Sequence, residues 1–288
     1  MSSGNTNLPK NFHIFGKGIA FSVSPTIHNA GFAHYGLPFN YTTRESDSID
    51  GVTSLIADDR FGGASVTMPH KLQVHKFCNE QTDTAKLIGA INTLIVKNNG
   101  NQRTIIGDNT DWSGLYNIMA AHTKTQPKSG LVIGAGGASR AALYAMHKTG
   151  IKTIYLVNRT LATAEKVRED FRQAFEIKVV ANLADIPEKP DVVIGTVPAD
   201  TTTENQFTPL FGSRGLCIDM SYKPRQTPLL MAAQKHGWDT VTGLEVLLAQ
   251  AFDQFLLWTG LEAPRDVMAE AIVVLDKERA ALAKGGML

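Results

Sequence analysis

The 288-residue sequence has little cysteine, no excess of either charge and no long apolar segment. Its two cysteines, Cys78 and Cys217, form no CxxC pair, so we expect buried free thiols in a reducing compartment rather than disulfides. Lys plus Arg total 28 and Asp plus Glu total 27, a balance without the basic excess typical of nucleic-acid binding. No apolar run reaches the roughly 18 residues of a membrane span, and the polar N-terminus differs from a signal peptide. We therefore expect a cytoplasmic protein that binds neither nucleic acid nor membranes.

Metal-binding motifs are missing as well. The eight histidines include no HExxH pair and no other metal-site spacing, so we expect no metal ion. Hydrophobic residues make up 43% of the chain, which suits a globular core and argues against intrinsic disorder. The length predicts roughly two domains.

Short apolar runs alternate with helical stretches along most of the chain. In the second half the predicted strands are residues 130–133, 153–157, 177–180, 191–194 and 215–218, with helices between them. This succession is typical of a doubly wound parallel sheet, so we predict an α/β fold. A hairpin is predicted around residues 98–101. The polar segment 124–129 is the best linker candidate.

A glycine-rich turn follows the first of these strands and opens a helix. Gly134, Gly136 and Ser139 fit the pattern G-x-G-x-x-small. The first glycine permits a tight turn, the second lets the backbone approach a pyrophosphate, and the third position must be small for the helix to pack on the sheet. The alternative, a tight turn without a ligand, is less favoured because strand, turn, helix and second strand follow in order. We predict a dinucleotide site here.

The second strand of this unit ends in Asn158-Arg159-Thr160. Enzymes that use NAD usually carry an acidic residue near this point to hold the ribose hydroxyls. Arg159 instead suits a 2′-phosphate, which favours NADP over NAD. The alternative is a surface arginine at the start of the next helix.

Three polar positions in the first half suggest chemistry. Ser22 and Ser24 are two residues apart, so in an extended segment both hydroxyls point to one side and suit a carboxylate. From this tetrapeptide alone, Ser24 as a simple N-cap before Pro25 is the better interpretation. Lys71 is predicted in the first turn of a helix, an unfavourable place for a cation, and such a local cost often marks function. A solvated surface lysine is the alternative.

Two carboxylates compete in the segment 107–112. Asp111 fits the N-cap of the helix predicted from Trp112, which explains it structurally, and Asp108 is equally suited to a catalytic role. The sequence does not choose between them. Gln250, in an otherwise apolar helix, either points its amide into a pocket or faces solvent beside Gln254.

Seven segments in order resemble the shikimate dehydrogenase family, including its quinate/shikimate relatives. The resemblance runs from about residue 15 to 261 and rests on residues 22–25 with 28–29, 66–71, 89–93, 107–111, 134–140, 158–160 and 243–245 with 249–251.

The resemblance implies a role for each matching position. It makes Lys71 and Asp111 the catalytic pair, and Ser22 and Ser24 the binders of the substrate carboxylate. Ring hydroxyls would be bound by Asn92, Thr67 and Gln250, with Tyr222 approaching from the nucleotide domain. The implied cofactor contacts are Gly134, Gly136, Gly137, Ala138, Asn158, Arg159, Thr160 and Gly243.

The resemblance also implies an N-terminal α/β substrate domain and a C-terminal Rossmann domain. We place the substrate domain at residues 1–112, completed by helices over about 244–288, and the NADP-binding domain at 113–243. The implied reaction is the reversible NADP-dependent reduction of 3-dehydroshikimate to shikimate, in aromatic amino acid biosynthesis, by a monomer or homodimer. The alternatives are a quinate/shikimate dehydrogenase that uses NAD and a non-catalytic relative that senses the same metabolites.

The sequence departs from the family pattern at three places. Residues 161–163 carry no second basic residue, so Arg159 acts alone unless Lys166 or Arg168 reaches the cofactor. Thr196-Val-Pro198 replaces the more usual Asn-Ala-Thr. An N-terminal extension of about ten polar residues is expected to be disordered.

Overall fold

The computed structural model describes residues 8–100, 102–122, 125–212 and 214–285. Most of the predicted disordered extension, residues 1–7, lies outside this range. The chain divides into two compact units. The first unit comprises Met1–Ala85, Ile91–Thr110 and Ala251–Leu288, and the second comprises Lys86–Ala90 and Asp111–Gln250.

The first unit is built on a mixed six-stranded sheet. Its strands are β1 (Lys10–Gly16), β2 (Phe39–Glu45), β3 (Phe61–Val66), β4 (Glu80–Gln81), β5 (Thr93–Asn99) and β6 (Gln102–Asp108), in the order β2-β1-β3-β5-β6-β4. Strands β1, β2 and β3 pair in parallel, whereas β3, β5 and β6 pair antiparallel. The predicted hairpin corresponds to β5 and β6, although residue 101 of its turn lies outside the described residues. Helices α1 (Ser24–His34), α2 (Thr53–Ala57) and α3 (Asp83–Ile88) lie between the strands along the chain.

The second unit has the predicted doubly wound sheet, and every strand pairing in it is parallel. The strands are β7 (Ser129–Ile133), β8 (Thr153–Val157), β9 (Lys178–Val180), β10 (Val192–Gly195), β11 (Leu216–Asp219) and β12 (Asp239–Val241). Their order, β9-β8-β7-β10-β11-β12, is that of a dinucleotide-binding fold. The α/β prediction is confirmed.

Helices alternate with these strands. They are α4 (Asp111–His122), α5 (Gly137–Lys148), α6 (Leu161–Phe171), α7 (Glu204–Phe207) and α8 (Pro228–Lys235), followed by α9 (Gly243–Thr259) and α10 (Arg265–Gly285). Helix α5 is rich in alanine, the best helix former, and Ala141, Ala142 and Ala145 are fully buried. Small side chains there let α5 pack closely in the core.

Segment 124–129, the predicted linker, is not a linker. Its described residues lie inside the second unit, and the chain passes between units at 85/86, 90/91, 110/111 and 250/251. Pro127 and Ser129 are buried. The Asp191 carboxylate accepts the N–H groups of Lys128 at 2.6 Å and Ser129 at 3.2 Å, which fixes the segment to the sheet.

Both cysteines are free, as predicted, but only Cys217 is buried; Cys78 is partly exposed. Burial raises the pKa of Cys78 to about 12 and raises that of Cys217 well above the usual thiol range. Among the described residues, no helix combines the length and the apolar character needed to cross a bilayer. Within those same residues, no three His, Cys, Asp or Glu side chains are grouped to hold a metal ion.

Candidate active site

Three strand ends of the first unit meet around Asn92. Its carbonyl accepts the N–H of Val66 at 2.7 Å, and its own N–H donates to the carbonyl of Asp108 at 3.1 Å. The neighbouring N–H of Ile91 donates to the carbonyl of Lys71 at 2.9 Å. The ends of β3 and β6 and the start of β5 therefore hold Lys71 and Asn92 at one edge of the sheet.

The serine segment is connected to the same edge. The N–H of Thr67 donates to the carbonyl of Phe15 at 2.9 Å, and the N–H of Lys17 donates to that of Met68 at 3.1 Å. The loop after β1 thus runs along the loop after β3. A further turn, from the N–H of Ser22 to the carbonyl of Ile19 at 2.9 Å, leads into α1.

Ser22 and Ser24 are both buried at the start of α1, with 7% and 3% exposure. The predicted N-cap role of Ser24 is wrong: α1 begins at Ser24, and Val23 before it makes no side-chain cap. Instead, the Ser22 hydroxyl accepts the N–H of Ser24 at 3.3 Å. Pro25 carries no N–H, so Ser22 satisfies one of the few amide donors at this helix end.

Lys71 does not lie at the start of an α-helix. It belongs to the single 3₁₀ turn His70–Leu72, followed by a second short turn, Val74–Phe77. Because the helix dipole sums over aligned peptides, so short a turn gives no strong argument against a cation. His70 is 1% exposed, and its Nε2 lies 2.9 Å from the carbonyl oxygen of Ser46, which anchors the turn. Lys71 itself is half-buried.

The Asn92 amide has a fixed orientation. Its Oδ1 accepts the backbone N–H of Thr110 at 2.7 Å and the hydroxyl of Thr93 at 2.7 Å, while its Nδ2 donates to the Thr110 hydroxyl at 3.0 Å. A backbone N–H is always a donor, so the oxygen must face Thr110 N. Asn92 is 2% exposed, and Thr110 immediately precedes Asp111.

Gln254, which the sequence analysis mentions only as a neighbour of Gln250, is a buried amide. The side chain is 1% exposed. Its Oε1 accepts the Ser65 hydroxyl at 2.8 Å, and its Nε2 donates to the Thr93 hydroxyl at 2.9 Å. The Tyr41 hydroxyl lies 2.6 Å from Ser65 Oγ. The signal that reveals Gln254 is its place beside Phe255 on the buried face of α9.

His28, on the next turn of α1, lies against this network. Its ring stacks on that of Tyr41, with centroids 4.7 Å apart and planes at 16°. Complete burial lowers the pKa of His28 to about 3, with a smaller opposing contribution from Gln254. The ring is therefore neutral and packs as an aromatic side chain.

The two candidate carboxylates have different surroundings. Asp108 Oδ1 accepts the Thr82 hydroxyl at 2.7 Å and the N–H of Asn109 at 2.8 Å, so it stabilises the loop after β6. Asp111 is 5% exposed and is the first residue of α4 rather than the residue before it. A carboxylate in the first turn is stabilised by the helix dipole. Asp108 therefore has a structural role, and Asp111 lies buried at the start of a helix.

The glycine turn of the second unit has the shape required for a pyrophosphate. Gly134 has a φ of +111°, and its N–H donates to the carbonyl of Val157 at 2.8 Å. A side chain at Gly136 would meet no atom within 4 Å, so this glycine borders open space. Helix α5 begins at Gly137, and the first N–H groups of a helix have no partner within it. Ala138 follows in the same turn. These residues fit a dinucleotide.

Arg159 is exposed just beyond β8 and forms no ion pair within the described part of the chain. Asn158 Nδ2 donates to the carbonyl of Thr160 at 2.9 Å and shapes this loop. Arg168 pairs with Glu165 at 2.5 Å on the surface of α6. This ion pair engages one of the two residues considered as a second cation beside Arg159.

Tyr222 is half-buried in the loop after β11, and Gly243 supports that loop. A Cβ at Gly243 would lie 2.7 Å from the Met220 carbonyl oxygen and 2.6 Å from that of Ser221. Only glycine permits this approach. Gln250 is 8% exposed, and its Nε2 donates to the carbonyl of Leu247 at 2.8 Å, so it is not a solvent-facing amide.

A buried carboxylate that sequence analysis did not single out ends β11, just before this loop. Asp219 is 4% exposed and accepts the N–H of Ser221 at 3.0 Å and the hydroxyl of Thr227 at 2.6 Å. Burial raises the pKa of Asp219 to about 6, and these hydrogen bonds oppose the shift. Asp219 ties the start of the Tyr222 loop to the residue before α8.

Three family models match the chain. They are the shikimate dehydrogenase substrate binding domain over residues 14–94, shikimate / quinate 5-dehydrogenase over 119–225, and the shikimate 5′-dehydrogenase C-terminal domain over 243–273. A curated relative, the pentafunctional AROM polypeptide of Schizosaccharomyces japonicus, is 39% identical over 275 residues. The match covers 89% of this chain and 17% of that relative, so the chain spans only a small part of its length.

Solved structures of shikimate 5-dehydrogenases are also similar to this chain. A shikimate 5-dehydrogenase from Mycobacterium fortuitum is 31% identical, with 92% of this chain and 98% of that chain covered and a TM-score of 0.77. A shikimate 5-dehydrogenase from Thermus thermophilus, in complex with NADP(H) and shikimate, is 27% identical, with coverage of 91% and 98% and a TM-score of 0.79.

Proposed function

The chain belongs to the shikimate dehydrogenase family, and from that premise we propose that it reversibly reduces 3-dehydroshikimate to shikimate with NADP(H). One observation carries the proposal: Thr67, Lys71 and Asn92 lie at one sheet edge, in the family's motif order. The Thermus thermophilus neighbour, whose structure contains NADP(H) and shikimate, supports the choice of ligands.

The substrate is proposed to be held by its carboxylate and by its ring hydroxyls. Ser22 and Ser24 are assigned to the carboxylate, which their burial and their place at a helix start support. Asn92 is assigned to a ring hydroxyl, and its hydrogen-bonded amide gives that contact a fixed direction. Thr67, Gln250 and Tyr222 complete the proposed set.

Lys71 and Asp111 are proposed as the catalytic pair. A dinucleotide held by the glycine turn would supply the hydride chemistry at the carbonyl carbon, in either direction. Lys71 gives its proton to the ring oxygen as negative charge develops there, and it takes that proton back during oxidation. Asp111 is assigned to keep the ammonium oriented. The structural role of Asp108 supports the choice of Asp111.

The residues of the glycine turn are proposed to hold the dinucleotide. Gly134, Gly136, Gly137 and Ala138 are assigned to the pyrophosphate, which suits the free N–H groups at the start of α5. Arg159 is assigned to the 2′-phosphate, with Asn158 and Thr160 beside the ribose and Gly243 near the nicotinamide. On this proposal residues 1–112 with about 244–288 bind the substrate, and 113–243 bind NADP.

Initial rates with each pairing of shikimate or quinate and NADP⁺ or NAD⁺ test the proposal. We expect shikimate with NADP⁺ to give the highest kcat/KM. A preference for quinate or for NAD⁺ would replace the proposal with the quinate/shikimate dehydrogenase alternative. Calorimetric binding of both ligands without turnover in any pairing would indicate a metabolite sensor.

A further inference from the structure

Thr196 is a departure from the family pattern that the proposed function leaves without a role. It directly follows β10, beside the end of β7. Its N–H donates to the Ile133 carbonyl at 3.0 Å, and its hydroxyl lies 2.8 Å from the same oxygen. A Cβ at Gly134 would collide with this hydroxyl. Thr196 therefore lies against the first residue of the glycine turn.

The hydrogen bonds around Thr196 have one consistent direction. A hydroxyl carries a single hydrogen, and that of Thr196 goes to the Ile133 carbonyl. Ser139 Oγ, 2.8 Å away, must then donate to Thr196 Oγ1. Ser139 Oγ in turn accepts the N–H of Gly136 at 2.9 Å. Ser139 is fully buried, so water does not replace these partners.

We propose that Thr196 is a positioning residue for the dinucleotide turn. Through Ser139 it fixes the peptide of Gly136, and this sets the direction of the N–H groups of Gly137 and Ala138. This inference rests on the proposed cofactor binding. Because NADP and NAD share the pyrophosphate, Thr196 affects both dinucleotides equally, whereas Arg159 distinguishes them.

The expected change in dinucleotide Kd follows from the fraction of molecules whose glycine turn is in the conformation that binds the dinucleotide. Thr196→Val keeps the side-chain shape but leaves the buried Ser139 O–H without an acceptor, which favours other turn conformations. The apparent Kd equals the intrinsic Kd divided by that fraction, so it rises as the fraction falls. Loss of one hydrogen bond of ordinary strength predicts a Kd about fivefold to tenfold higher for each dinucleotide.

Isothermal titration calorimetry of the full chain with NADP⁺ and with NAD⁺ tests this inference. Thr196→Val should raise both Kd values by the same factor, and Thr196→Ser should restore them. The matched control is Thr149→Val, which removes a hydroxyl bond of 2.8 Å to the Met146 carbonyl elsewhere in the same unit and should leave both Kd values unchanged. Shikimate KM and saturated kcat should stay constant in Thr196→Val.

A second variant keeps the test independent of the folding of Thr196→Val. Ser139→Ala should weaken both dinucleotides comparably, and the double variant should be no weaker, because the two hydroxyls act as one unit. Wild-type Kd values in Thr196→Val, equal losses in Thr196→Ser, additive losses in the double variant, or an effect on NADP⁺ alone would each overturn the inference. A wild-type chain that binds neither dinucleotide would overturn the proposed function itself.

Discussion

Replacement of Gln254 by leucine tests whether this amide holds the start of β5. The substitution removes the acceptor of the Ser65 hydroxyl and the donor to the Thr93 hydroxyl. The Asn92 carbonyl keeps the N–H of Val66 at 2.7 Å and stays satisfied. One buried donor loses its partner, which lowers the free energy of unfolding by about 1–3 kcal/mol.

Thermal unfolding measures this loss. Each 1 kcal/mol corresponds to about 2–4 °C in a chain of this size, so a mid-range loss of about 2 kcal/mol lowers Tm by about 4–8 °C. The control is Gln234→Leu, which removes an exposed amide bonded to Thr240 at 3.2 Å and should cost less than about 0.5 kcal/mol. Equal Tm values for the two variants would refute the structural role of Gln254.

Kinetics separates a role in the site from a role in stability alone. Gln254 donates to Thr93 and to the carbonyl of Asn92, at 2.9 and 3.3 Å. Gln254→Leu should therefore raise the KM for shikimate about fivefold, the value of one hydrogen bond, and leave the KM for the dinucleotide unchanged. An unchanged shikimate KM would contradict the connection to Asn92.

Three further predictions address proton transfer, cofactor choice and pH. Lys71→Ala should lower kcat about 10²–10⁴-fold in steady-state assays with little change in shikimate KM, and near-normal kcat would exclude Lys71 as the acid/base. Arg159→Ala should raise the KM for NADP⁺ about tenfold and leave that for NAD⁺ unchanged; equal effects on both would remove Arg159 from the 2′-phosphate. The pKa of His28 is about 3 in the folded chain against 6.5 as the ordinary value, so the unfolded chain binds more protons between these values and stability falls as pH falls. His28→Phe should therefore gain about 1.6 kcal/mol relative to wild type between pH 6.5 and pH 5, since the slope rises from half to nearly all of about 1.4 kcal/mol per pH unit below 6.5, in urea unfolding at both pH values. A pH-independent difference would contradict this assignment.

The local sequence pattern was sufficient to predict the structure of segments that do not depend on distant contacts. The glycine turn between β7 and α5 needs a positive φ at Gly134 and a small residue at Ser139, and both requirements are visible in six residues. The parallel sheet of the second unit was predictable because its strands are continuous apolar runs, as expected for strands buried on both faces.

Hydrogen bonds between residues that are distant in the sequence could not be predicted. Gln254 and Thr93 are 161 positions apart, and no local sequence pattern predicts their hydrogen bond. The polarity of segment 124–129 predicts a linker, but the Asp191 carboxylate accepts a backbone N–H of this segment and fixes it to the sheet. The Thr82 hydroxyl that bonds Asp108 is 26 positions away, so the structural role of Asp108 could not be predicted from its own segment. In each case a long-range polar contact, rather than composition, decides the role.

Burial disfavours the thiolate form of both cysteines. Only the thiolate attacks alkylating agents, peroxides or mixed disulfides, and the raised pKa values of Cys78 and Cys217 leave almost none of it at physiological pH. We therefore expect both cysteines to react slowly with oxidants and disulfides.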